Sequence, residues 1–149
     1  MTTVNKILES KPDDVKIHSV GSDETVLQAL RVMAEAETGA VLVCEDDRIV
    51  GIFTERDYAR EGELKGRCAK DTRVKDVMTN EMISVKPETT LDACMELMSK
   101  HGIRHLPVVS NARIIGLVSI KDVVRALSEQ AESTINELEN YILGTGYGR

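Results

Sequence analysis

Apolar residues along this chain fall into two alternating patterns, and the same alternation occurs twice. Ile49-Val50-Gly51-Ile52-Phe53 is a run of five apolar or glycine positions, too short for a helix and suited to a buried strand. Thr54 follows it, with Asp57 three residues on, the hydroxyl-then-acid spacing with which helices begin. Sixty-five residues later the same series returns as Ile114-Ile115-Gly116-Leu117-Val118, then Ser119 and Asp122. The unit is therefore strand, abrupt turn, helix, built twice.

The neighbouring segments repeat in the same register. Ile17 to Val20 alternates like a brief strand, and Ile83-Ser84-Val85 matches it. Thr25 with Gln28 reads as a capping box before Val26, Ala29, Leu30 and Met33, which share one helical face. Thr90, Leu91, Cys94, Met95 and Met98 repeat that helix. Ala40 to Cys44 and Leu106 to Val109 are buried strands, each turning back through a short polar hairpin. Ser19/Ser84, Thr25/Thr90, Val43/Val108, Arg48/Arg113, Gly51/Gly116 and Asp57/Asp122 all differ by 65 with no gap, so the duplication is established.

The expected boundaries are a first repeat over 4–60, a linker over 61–76, a second repeat over 77–128, and a helical extension with a loose tail over 129–149. Val4 to Leu8 forms a short amphipathic lead that breaks at Lys11-Pro12-Asp13-Asp14, and Gly62 and Gly66 mark the linker. Val123, Val124, Leu127, Ile135, Leu138, Tyr141 and Ile142 carry an apolar stripe past the repeat, on one helix or on two broken near Ser133. That stripe folds back on the repeats or covers a second copy of the chain. The tail from Gly144 to Arg149 is expected to be loose.

Composition narrows the class. With 42% apolar residues but one Phe, three Tyr and no Trp, the interior must be aliphatic. A net charge of −6 argues against a nucleic-acid partner. No apolar run reaches the length of a membrane span, and the N-terminus lacks the apolar core of a signal peptide. Cys44, Cys68 and Cys94 are odd in number, widely spaced and without a CxxC, as in a reducing compartment; a cytoplasmic protein is expected. His101 and His105 are spaced i,i+4, but Gly102 and Pro107 oppose a continuous helix and no third ligand accompanies them, so no metal site is expected. No nucleophile elbow, P-loop or GxGxxG is present, and the chain is read as a non-enzyme.

Each repeat reads β-α-β-β-α. Two such repeats with a Gly-apolar-apolar-Thr/Ser-x-x-Asp crest resemble a tandem pair of cystathionine-β-synthase-type (CBS) domains over roughly residues 4–128. His101-Gly102-Ile103-Arg104-His105-Leu106-Pro107 carries the family's Gly-apolar-x-x-apolar-Pro signature, whereas the first repeat has Glu37 in place of Gly102 and Leu42 in place of Pro107. The resemblance implies an α/β (α+β) fold, with two repeats packed through their sheets about a pseudo-two-fold axis. It also implies two clefts for adenosine-containing ligands (AMP, ADP, ATP, NAD or S-adenosylmethionine), a homodimer, and a regulatory role read out by another protein.

On that resemblance the ligand-binding positions are Gly39, Ala40, Thr54, Arg56, Asp57, Met78, Thr79, Ile103, Arg104, His105, Pro107, Ser119, Lys121 and Asp122. Asp57 and Asp122 would each hold a ribose cis-diol. Thr54 and Ser119, on first helical turns with free backbone N–H groups, would favour a phosphate. Arg104 and His105 would reach a phosphate from the opposite wall, Arg56 and Lys121 would assist, and Met78 and Thr79 would close over the base. Each also has a structural use. Thr-x-x-Asp and Ser-x-x-Asp are complete helix caps without any ligand, and the charged residues are acceptable solvated side chains. Capping and ligand holding are compatible. The rival reading is a ligand-free interaction or oligomerisation module.

Overall fold

The two crests form hairpins in the same register. A computed structural model describes residues 2–11 and 17–141; the Pro12-Asp13-Asp14 break, Ile142 and the tail from Gly144 lie outside them. β2 (Ala40–Glu45) pairs antiparallel with β3 (Arg48–Thr54), and β4 (His105–Ser110) with β5 (Arg113–Ser119). Ala40 faces Thr54 as His105 faces Ser119, and a register shift falls between Val43 and Cys44 as between Val108 and Val109. Both hairpin turns place two residues at positive φ, Asp46-Asp47 and Asn111-Ala112. This is the backbone that tight hairpins require.

The remaining elements follow the predicted pattern with informative differences. α2 (Val26–Ala36) starts on Thr25, whose hydroxyl accepts from the Gln28 N–H, although the Gln28 side chain does not return the bond. α4 (Leu91–His101) starts on Thr90 in the same way. β1 (Ser19–Gly21) pairs parallel with β2, completing a three-stranded sheet. The expected matching strand at Ile83 to Val85 reduces to one parallel bridge, Val85 to Val108, so the second sheet has two strands. After Thr54, α3 (Glu55–Asp57) lasts one turn before widening into a π turn, Tyr58–Gly62. After Ser119, α5 (Ile120–Glu139) runs unbroken past Ser133.

Among the described residues, three apolar clusters form the core. One fills the first repeat around Val41, Val43 and Phe53, and one fills the second around Leu91, Leu106 and Val118. The third joins the sheets face to face through Ala40, Leu42, Ile52 and Leu117. Cys94 is buried in the second cluster, Cys44 is half-buried and Cys68 is exposed.

The segments leading into the repeats are exchanged. α1 (Val4–Ser10), grouped with the first repeat by the sequence reading, buries Val4, Ile7 and Leu8 in the second repeat's core. Val74, from the expected linker, and Val77, at the start of the expected second repeat, are buried in the first. Val4 N–H donates to Thr89 C=O and Val74 N–H to Glu24 C=O, so the acceptors are 65 residues apart and the donors 70. The duplication thus extends into the leaders, with a five-residue offset. Among the described residues no helix is long and apolar enough to cross a membrane, and Val124, Ile135 and Leu138 of α5 are exposed.

Candidate functional site

Where the two crests face each other, a cleft of about 640 Å³ opens between the repeats. Eleven expected residues line it: Gly39, Thr54, Arg56, Asp57, Thr79, Ile103, Arg104, His105, Pro107, Ser119 and Lys121. Ile52, Met82 and Ile83 add apolar wall, and Glu37, Glu55 and Glu81 add acids, of which the motif reading noted only Glu37, as the residue in place of the signature glycine. No local signal assigns them to the cleft; they reach it because a crest, a helix end and a leader converge there.

Three expected residues lie elsewhere. Ala40 is buried in the sheet-to-sheet cluster, because β2 turns it toward the other repeat. Met78 packs on the first core, and its Sδ would stand 2.8 Å from a Cβ at Gly51. Asp122 is turned away to a smaller cavity of about 260 Å³ between α1 and α5.

Both crest acids cap their own helices. Asp57 Oδ2 accepts from the Thr54 N–H at 3.0 Å, and Thr54 Oγ1 accepts from the Asp57 N–H at 3.1 Å. Asp122 Oδ2 accepts from the Ser119 N–H at 2.9 Å, and Ser119 Oγ accepts from the Asp122 N–H at 3.2 Å. Glu55 N–H donates to Gly39 C=O and Ile120 N–H to Arg104 C=O. Two N–H groups in each first turn are therefore committed, and the turns offer an anion less than the sequence reading expects.

What lies beyond the caps separates the two acids. Asp57 Oδ1 accepts from the Thr79 hydroxyl at 3.1 Å, at the edge of the large cleft. Burial raises its pKa above the ordinary 3.8, against the opposing effect of the Thr54 and Thr79 hydrogen bonds. Asp122 Oδ2 instead meets Lys11 Nζ at 2.8 Å, and Lys11 Nζ also donates to Leu117 C=O at 2.9 Å. These side chains are only 12% and 20% exposed. Burial pushes Asp122 upward, but the Lys11 ammonium and the Ser119 N–H outweigh it and leave the pKa lowered.

The basic residues divide as well. Arg56 donates through Nη1 to the carbonyl of Gly102, tying the first crest to the end of α4. Arg104 and Lys121 are exposed and make no side-chain hydrogen bond or ion pair to another described residue. His105 is held below its ordinary 6.5 by burial; Asp122 opposes that shift, and Lys11 and Arg104 add to it. His101 ends α4 whereas His105 opens β4.

Comparison with known proteins agrees with this architecture. The model of the CBS domain matches residues 13–63 and 74–129. A mitochondrial CBS domain-containing protein of Arabidopsis thaliana, CBSX3, is 39% identical over 98% of this chain and 74% of its own length. A CBS-domain protein from Burkholderia ambifaria, assigned to signal transduction, is 46% identical, with a TM-score of 0.81 over 85% of this chain and 93% of that one. The CBS domain pair of protein MJ0100, solved with 5′-methylthioadenosine and S-adenosylmethionine, shares the fold at 24% identity and a TM-score of 0.73, over 87% of this chain and 98% of that one. With two matched repeats, two sheets packed face to face and a cleft between twin crests, this chain belongs to the CBS-domain family.

Proposed function

We propose that this chain is a regulatory CBS pair that binds one adenosine nucleotide in the large cleft and passes its occupancy to a partner protein. One observation carries the reading. Asp57 closes its cap with one oxygen and keeps the other at the cleft edge, bonded only to a hydroxyl that a ribose hydroxyl can replace. Asp122, bound to Lys11, offers no such oxygen to the large cleft. The ribose is therefore assigned to Asp57, the base to the apolar walls of Ile52, Met82, Ile83, Ile103 and Pro107, and the phosphate to Arg104 and Lys121. The adenosine compounds bound by the MJ0100 pair support this choice of ligand class. A homodimer or a regulated protein would cover the exposed Val124, Ile135 and Leu138 on α5.

A specific observation favours a second reading. Both caps are complete without a ligand, as a pure interaction module requires. The two readings part at Asp57→Asn, which keeps an oxygen for the cap and removes the charge. Calorimetry with AMP, ADP, ATP, NAD and S-adenosylmethionine should give binding by at least one, weakened about tenfold to a hundredfold in the variant. Absence of binding by all five at millimolar concentration, on folded protein, would favour the interaction module.

A further inference from the structure

Past the second repeat, α5 leaves the body of the chain. Val123, Ala126 and Leu127 pack on the second core, but every residue from Ser128 to Tyr141 is exposed. The helical part, to Glu139, is an arm of about 18 Å. Ala131, Ile135 and Leu138 follow at steps of four and three and form one narrow apolar stripe, with Ile135 54% and Leu138 57% exposed. The arm also carries Glu129, Glu132, Glu137 and Glu139, and no Lys, Arg or His. None of these four carboxylates has a hydrogen bond or ion pair with another described residue. Glu137 and Glu139 stand in the last turn, where the helix end is itself partly negative, and no base offsets them there.

A solvated helix gains from Glu–Lys pairs four residues apart and from bases at its C-terminus, and this arm has neither. Its charges suit a neighbour instead. We infer that the arm docks a basic amphipathic helix of a partner protein. The partner sets its own apolar stripe against Ala131, Ile135 and Leu138, and Lys or Arg side chains against the acids beside them. A helix is the matching shape, because a stripe with steps of three and four is the seam that a second helix fills. Glu132 and Glu139, seven residues apart, flank that seam on one side, where interhelical ion pairs form. A second copy docked arm to arm would set four acids against four, so charge selects a partner of opposite sign. The start of α5 lines the large cleft through Ile120 and Lys121, so a shift of the helix at that end moves the docking face at the other. The contact rests on the regulatory reading only for its purpose; its chemistry is independent of what the cleft holds.

The test uses the full chain and three labelled synthetic peptides: a helix with leucines at heptad spacing flanked by lysines, the same helix flanked by glutamates, and a scramble of the lysine helix. Fluorescence anisotropy should show the lysine helix binding at about 10–100 μM, with the glutamate helix and the scramble about tenfold weaker or more. Ile135→Ser/Leu138→Ser and Glu132→Gln/Glu139→Gln should each weaken the lysine helix about tenfold, in protein whose circular dichroism shows it folded; only the effect of the acids should fade in high salt. The glutamate helix or the scramble binding as tightly as the lysine helix would overturn the inference, and so would binding that neither variant changes. Sedimentation showing a dimer that Ile135→Ser/Leu138→Ser splits would also overturn it, by giving the face to a second copy. Docking of the lysine helix by a chain that binds none of the five adenosine compounds would uphold the inference and overturn only the nucleotide reading.

Discussion

Asp57 and Asp122 occupy the same place in two copies of one unit, and each closes a reciprocal cap on the hydroxyl residue three positions before it. Their hydrogen-bonding surroundings differ most in what the leaders bring. The leader into the second repeat brings a neutral hydroxyl, Thr79, to Asp57; the leader into the first brings an ammonium, Lys11, to Asp122. Burial dominates at Asp57 and raises its pKa, whereas at Asp122 the ammonium and the backbone N–H overcome burial and lower it. Duplication fixes the local geometry. The exchanged leaders decide which copy keeps its carboxylate at the edge of the large cleft.

The largest expected contrast lies beneath the leaders. A methyl group at Gly51 would stand 2.8 Å from both Met78 Sδ and the Thr79 carbonyl, and that carbonyl is fixed by its bond to the Ile52 N–H. At Gly116 it would meet only the end of the Leu8 side chain, at 2.7 Å, which can swing aside. Gly51→Ala should therefore cost about 2–3 kcal/mol and Gly116→Ala about 1 kcal/mol or less, in urea unfolding at pH 7. Equal losses would break the contrast.

Next comes the ion pair. Lys11→Met leaves the half-buried Asp122 carboxylate without its cation and should cost about 1–3 kcal/mol, while Thr79→Val, which removes a neutral donor from Asp57, should cost about 0.5–1.5 kcal/mol. The pH dependence sharpens the point. Asp122, lowered from 3.8, contributes stability that is complete above 3.8 and lost as pH falls through its folded value. Asp57, raised from 3.8, costs stability when ionised; that cost is full above its folded value and gone below 3.8. Acid titration of stability should thus flatten in Lys11→Met, and an unchanged profile would count against the pairing.

A smaller effect is expected where α2 ends. Glu37 is held at φ 54, in the left-handed region that Gly102 occupies at φ 62 after α4. Glu37→Gly should raise stability by about 1 kcal/mol, read as a higher midpoint in thermal unfolding. The smallest effect belongs to His105, whose counterpart in the first repeat is Ala40. Burial lowers its pKa, so stability is complete above 6.5 and declines as pH falls from 6.5 through the folded value. Asp122 opposes the shift, Lys11 and Arg104 reinforce it, and Glu55 lies close by across Gly39. His105→Gln should remove that decline.

Much of this was legible in the sequence, because the signals are local. Thr25, Thr54, Thr90 and Ser119 announce their helices through the hydroxyl each presents to the N–H three residues on. Gly51 and Gly116 stand at matching positions of the two crest strands, as the repeat register requires. The exchange of leaders was not legible, because docking of Val4 and Leu8 on the second core is a tertiary event and its offset of 70 departs from the repeat's 65. The pairing of Lys11 and the placement of Glu37, Glu55 and Glu81 at the cleft escaped for the same reason, since no motif joins them. Ile83 to Val85 carries the alternation of a strand, yet only Val85 bridges to β4.

Carboxyl carbon-13 NMR of the full chain tests the inequality of the two crests most directly, with Asp57→Asn and Asp122→Asn used to assign the signals. Asp57 should titrate above 3.8 and Asp122 below it, and addition of AMP should move the Asp57 resonance and leave Asp122 in place. The two acids titrating together, or AMP moving Asp122 instead of Asp57, would contradict the reading.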